Sequence, residues 1–147
     1  FYIRSVSTSD VDPNNRLGTG KFGTNWDNDK GKALIDIIQN SKTPIHTYCT
    51  GYAMSAACKI FLAGHKRFIS KHATLLYHQM GCWVGGKYQD GVESMEQMTY
   101  LQNMIEEYVA SRTKMTMDEL KQIRETKLDY YIHPDDAIRL GFADELI

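Results

Sequence analysis

A hydroxyl, an imidazole and a carboxylate stand at the ends of short structural runs in this chain, and together they are the groups that nucleophilic attack on an acyl bond requires. Ser55 lies in Thr50-Gly51-Tyr52-Ala53-Met54-Ser55-Ala56-Ala57, directly after the β-rich run Ile45-His46-Thr47-Tyr48-Cys49 and before the apolar run Ile60-Phe61-Leu62-Ala63. That order predicts a strand-to-helix junction at the hydroxyl. The unpaired N–H groups and partial positive charge of a helix start can stabilise both an attacking alkoxide and an oxyanion. Gly51, Ala53, Ala56 and Ala57 are small enough to let a substrate backbone come close. Read alone, the same residues describe a helix cap equally well.

Two further groups shift that balance. Ala73-Thr74-Leu75-Leu76-Tyr77 reads as a short buried strand, and His78-Gln79 stands at its end before Met80-Gly81-Cys82-Trp83-Val84-Gly85-Gly86 turns the chain away. Asp129 follows a helical stretch from Met117 to Glu125 and precedes a final amphipathic helix that begins at His133-Pro134-Asp135. A base within reach of the hydroxyl and an acid behind the base complete a hydrolytic trio, and unrelated folds deliver it in any chain order. Here the order is Ser55, His78, Asp129.

The elements that must position them alternate in type. A strand is expected over Phe1 to Ser5, a polar loop over Thr8 to Asp29, and a helix over Lys32 to Asn40. Ile45 to Cys49 reads as a strand, Ser55 to Ala63 as a helix, and Arg67 to Ser70 and Leu75 to His78 as strands. Such alternation predicts an α/β fold, a parallel-rich sheet covered by helices, with active sites at strand ends. The longest periodic segment, Val92 to Arg112, places Val92, Met95, Met98, Leu101, Ile105, Tyr108 and Val109 on one stripe, with Gln102 and Glu106 among the polar residues elsewhere.

Composition narrows the function classes. The 147 residues carry a net charge of −1 and no long run of like charge, which argues against nucleic acid or an anionic membrane as partner. Cys49, Cys58 and Cys82 have neither metal-ligand spacing nor the even count of a disulfide framework, so a reducing, cytoplasmic setting is expected. Cys58 reads as a small core residue, and His46, His65, His72 and His133 read as surface or capping residues. No cofactor or metal is implied.

At these residues the chain resembles the proteolytic subunit of the Clp protease (ClpP) and its relatives in the ClpP/crotonase superfamily. Gly51-Tyr52-Ala53-Met54-Ser55 follows the family's Gly-x-Ala-x-Ser, and Tyr77-His78-Gln79 follows its His-Gln. Asp129, with His133-Pro134-Asp135-Asp136-Ala137 and Gly141-Phe142-Ala143-Asp144, follows its acid and closing pattern, so the likeness runs from about Lys32 to Ile147. The resemblance implies Ser55 as nucleophile, His78 as general base, Asp129 as orienting acid and the Ala56 N–H as one oxyanion donor. It also implies a single ClpP-like domain over residues 1–147 and a projecting handle helix within residues 79–112. The implied assembly is a homo-oligomer of stacked rings that cleaves unfolded polypeptides delivered by an AAA+ unfoldase.

Three departures accompany the likeness. The family's Ser-Pro-Gly-Gly segment is missing after the first strand, where Val6-Ser7-Thr8 stands instead, and Gly23 in the long loop 8–29 is the expected second oxyanion donor. Met80 occupies a position where many relatives have Pro. A chain that opens on an apolar aromatic strand also lacks room for the family's upstream helix, first strands and gating segment, so a partial chain is expected. The alternatives are a catalytically impaired ring scaffold, favoured by the missing Gly-Gly, a crotonase-type acyl-CoA enzyme, and a Ser–Lys peptidase, for which Lys59 is poorly placed one helical turn beyond Ser55.

Overall fold

Strands and helices alternate along the chain as the sequence pattern predicts. The computed structural model describes residues 2–4, 31–82 and 84–147. They run β1 (Tyr2–Arg4), α1 (Gly31–Gln39), β2 (His46–Cys49), β3 (Tyr52–Met54), α2 (Ala56–Ala63), β4 (Lys66–Ile69), β5 (Thr74–Tyr77), α3 (Tyr88–Arg112), α4 (Met117–Glu125), β6 (Tyr130–Ile132), α5 (Pro134–Arg139) and β7 (Glu145–Leu146). Loop 8–29, with Gly23, lies outside the described residues. β1, β2, β4 and β7 form a parallel sheet in that order. In a second sheet β3 and β5 pair in parallel and β6 joins β5 antiparallel. The fold is the expected parallel-rich α/β arrangement.

α2 is the element around which both sheets close. Cys58 to Ala63 are all buried, and the helix packs against α1, α3, β2, β3 and β5. Its apolar run has no polar side except Lys59, as suits a helix covered all round. Gly64 ends it where a Cβ would collide with Thr47, whose hydroxyl donates to the Phe61 carbonyl at 2.7 Å. Phe61, Leu62, Leu75, Val109, Leu120, Ile132 and Phe142 form the main core, while Ile38, Ile60 and Ala63 make a smaller one beneath α1. Each of these side chains larger than alanine contributes about 1.5–3 kcal/mol by leaving water.

α3 departs from the expected stripe. At 1.5 Å per residue its 25 residues span about 37 Å. Met95 and Tyr100 in its first half are 49% and 64% exposed, and burial begins only at Gln102. Gln102 and Glu106, which the sequence sets off the apolar stripe, are nonetheless among its buried residues. They lie one turn apart on the flank of Ile105 and Val109, and the pattern of polar and apolar types does not reveal this. α4 begins at a capping box: the Thr116 N–H donates to Glu119 Oε2 at 2.7 Å and the Glu119 N–H returns to Thr116 Oγ1 at 3.2 Å.

Arg67 ties the first sheet to the end of α3 and to the segment after α5. Its Nε and Nη2 donate to the two Asp144 carboxylate oxygens at 3.0 and 2.6 Å, and its Nη1 to the Arg112 and Gly141 carbonyls at 2.6 and 2.9 Å. Arg112 in turn donates to the Leu62 and Gly64 carbonyls. Burial acts to raise the Asp144 carboxyl, but hydrogen bonds from Arg67 and the charges of Arg67 and Arg112 outweigh it and hold the group below its ordinary value. This stabilisation is complete above the unfolded carboxyl value of about 3.9 and is lost as pH falls through the lower folded value. Asp144→Asn is expected to cost about 1–3 kcal/mol at pH 7, nearer the low end because the side chain is 34% exposed. Thermal melts from pH 2 to 7 should show the wild type losing Tm below pH 4 more steeply than the variant.

Candidate active site

Ser55 does not follow β2 directly, as the sequence pattern suggests, because the three-residue strand β3 intervenes. The Gly51 carbonyl accepts from the Thr74 N–H at 2.8 Å, and the Ser55 N–H donates to the Leu76 carbonyl at 3.0 Å, extending the β3–β5 ladder by one residue. The chain then turns sharply into α2. Ser55 has φ 54° and ψ −118°, a conformation open to glycine and costly for any other residue by about 1–3 kcal/mol. Strain of this kind at a strand–turn–helix junction presents a serine hydroxyl outward, as in a nucleophile elbow. The Ser55 side chain makes no capping hydrogen bond, which removes the cap as an account of the residue. The first helical bond runs from the Lys59 N–H to the Ser55 carbonyl, leaving the Ala56 N–H ahead of it at the helix start.

His78 is the first residue beyond β5 rather than its last, and Asp129 is the residue just before β6. The β5–β6 pairs are Leu75 with Ile132, Leu76 with Tyr131 and Tyr77 with Tyr130, so the next step of the antiparallel register sets His78 opposite Asp129. β3 and β5 end on the same side of this sheet at which β6 begins. Ser55, His78 and Asp129 are thereby gathered at one sheet end. They are not joined there by hydrogen bonds: His78 Nδ1 sits 2.6 Å from the Gln79 carbonyl, and Asp129 is exposed. Gly23, the expected second oxyanion donor, is outside the described residues.

A polar cluster absent from the sequence reading lies behind His78. The Met80 N–H donates to Gln102 Oε1 at 2.9 Å, Gln102 Nε2 to Glu106 Oε1 at 2.8 Å, and Arg124 Nε to the same oxygen at 2.7 Å. The Tyr77 hydroxyl is buried beside it, facing Gln102 without the geometry of a full hydrogen bond, and burial, followed by the Glu106 charge, pushes its ionisation well up against a smaller opposing effect of Gln102. The i,i+4 spacing of Gln102 and Glu106 was the available signal, since it places both on one helix face.

Other candidates fall away on geometry. Cys58 is fully buried and its thiol is pushed up to about 12, chiefly by burial, so it behaves as the small core residue its position predicts. Lys59 is buried along α2 and lines, with Ile35, Ala56, Ile105 and Tyr108, a cavity of about 240 Å³ that opens beside the helix start. His65 Nδ1 receives the Ile45 N–H at 3.0 Å, a structural contact. No helix among the described residues is long and apolar enough to cross a membrane.

The chain is similar to known proteins. The family model described as Clp protease matches residues 27–147. The ATP-dependent Clp protease proteolytic subunit 2 of Parasynechococcus marenigrum (strain WH8102) is 27% identical over 119 residues, which are 80% of this chain and 59% of that protein. Proteolytic subunit 4 of Rhodococcus jostii (strain RHA1) is 30% identical over 117 residues, 78% of this chain and 59% of its own length. The proteolytic subunit of Deinococcus radiodurans is 25% identical over 119 residues, with 80% and 57% covered. The chain therefore spans less than two thirds of the length of these curated relatives. With a family model that covers most of its length and the parallel-rich α/β fold that accompanies it, the chain belongs to the Clp protease family, a family of peptidases.

Proposed function

We propose that this chain is a serine endopeptidase subunit of a self-compartmentalising, ATP-dependent protease, with Ser55 as nucleophile, His78 as general base and Asp129 as the acid that stabilises the imidazolium. The observation that carries this reading is the left-handed backbone of Ser55, held between a strand and a helix with its hydroxyl spared from capping. His78 Nε2 takes the proton from Ser55 Oγ as the oxygen attacks a peptide carbonyl carbon. The Ala56 N–H, with a second donor for which Gly23 is the candidate, holds the resulting oxyanion. The protonated imidazole gives its proton to the departing amine, leaving an acyl-enzyme that water opens with His78 again as base.

Relatives named as subunits of an ATP-dependent protease support a ring assembly fed with unfolded chains by an AAA+ partner in the cytoplasm. The exposed face of α3 formed by Tyr88, Val92, Met95 and Thr99, with Val84 before the helix, is the surface we assign to contact between stacked rings, as the handle of residues 79–112. Extended substrates suit the site because strand-edge hydrogen bonds accept many sequences. A non-catalytic ring component is the second reading. It is favoured by the lack of hydrogen bonds within the trio and by the absence of the Gly-Gly pair.

A fluorophosphonate probe with mass mapping separates the two readings. Labelling is expected at Ser55 alone and should vanish, together with turnover of a short fluorogenic peptide, in Ser55→Ala. His78→Ala should lower turnover by about 10²- to 10⁴-fold. An unlabelled wild type would establish the scaffold reading.

The strain at Ser55 generates a separate expectation about stability. Ser55→Gly should be equally inactive yet more stable than Ser55→Ala by about 1 kcal/mol, because glycine accepts φ 54° and alanine does not. Urea unfolding of the two inactive variants measures this directly. Equal midpoints would show that the elbow stores no strain.

A further inference from the structure

Three hydrogen bonds run from the base to a buried carboxylate. His78 Nδ1 lies 2.6 Å from the Gln79 carbonyl oxygen. A carbonyl only accepts, so Nδ1 carries the proton and Nε2 keeps the lone pair that a general base needs. The opposite pole of that same peptide unit, the Met80 N–H, donates to Gln102 Oε1 at 2.9 Å. Gln102 completes the connection by donating Nε2 to Glu106 Oε1 at 2.8 Å, where Arg124 Nε also donates at 2.7 Å.

The direction of these bonds matters. A peptide whose N–H is donated to an acceptor polarises its carbonyl, and the effect is larger where the groups are sheltered from water. Gln102 is 9% and Glu106 1% exposed. The amide orientation of Gln102 is fixed, since only its oxygen can take the Met80 N–H while only its nitrogen can serve a carboxylate.

We propose that Gln102 is a positioning residue for His78, acting through the Gln79–Met80 peptide unit and anchored by Glu106. The relay sets the tautomer and orientation of the imidazole, while Asp129, opposite His78 in the strand register, supplies charge. This inference rests on the assignment of His78 as base to Ser55.

The test compares three variants of the assembled protein for kcat and KM on a fluorogenic peptide, rate of fluorophosphonate labelling, and Tm. Gln102→Met keeps the volume and removes both bonds. The double variant Gln102→Glu with Glu106→Gln exchanges amide and carboxylate, so that an acceptor for the Met80 N–H and a link to position 106 both return. Thr116→Ala removes only the α4 cap and controls for lost stability. Gln102→Met should lower kcat and labelling about 10- to 100-fold with KM within about twofold, as small misplacements of a reacting group do. The double variant should recover most of that loss, and Thr116→Ala should keep wild-type kcat. Wild-type kcat or faster labelling in Gln102→Met, a double variant as slow as Gln102→Met, or a similar kcat loss in Thr116→Ala would each overturn the proposal alone. An unlabelled wild type would remove it together with the reading on which it rests.

Discussion

The hydrogen-bond register of β5 is the constraint on which the site depends. Because β5 pairs with β3 in parallel and with β6 antiparallel, the ends of the first two strands coincide with the start of the third. Three residues that are 23 and 51 positions apart in sequence are brought to one sheet end by two short ladders. A slip of one residue in either ladder would send alternate side chains to the opposite face. The buried pattern of Leu75, Leu76 and Tyr77 is what resists such a slip, together with Ala53 and Ile132 on the flanking strands.

Two sets of charged groups hold α3 in place. Arg67, Asp144 and Arg112 fix its last turn to β4 and to the chain after α5. Glu106 and Arg124 bind its middle to α4, with Gln102 extending the contact to Met80. Buried charges are costly unless paired and hydrogen-bonded, and removal of one partner costs more than the pair contributes. Both sets meet that condition. The second half of α3 is therefore anchored while the first half carries exposed Tyr88, Met95 and Tyr100, a division of one continuous helix into a packed part and a presenting part.

Much of this was legible in the residues. The α4 span from Met117 to Glu125 was legible as a helical stretch, and the alternation of apolar runs with helical periodicity was enough to indicate a parallel-rich α/β fold. β3 was not legible, because three residues between Gly51 and Ser55 are too few for a period-2 pattern. The burial of Gln102 and Glu106 was not legible for a different reason: polarity signals exposure only on average, and a pair that satisfies itself and a backbone N–H can lie inside. The φ of Ser55 is beyond any propensity argument, since serine is not expected there and is held by the ladder on one side and α2 on the other.

A crystal structure of the assembled protein with a peptide boronate bound most directly tests the claim that this sheet end is a hydrolytic centre. The account predicts a bond between boron and Ser55 Oγ, one boronate oxygen within about 3 Å of the Ala56 N–H, and His78 Nε2 facing the adduct. An adduct on another residue, or one on Ser55 with its oxygen directed away from the start of α2, would contradict it.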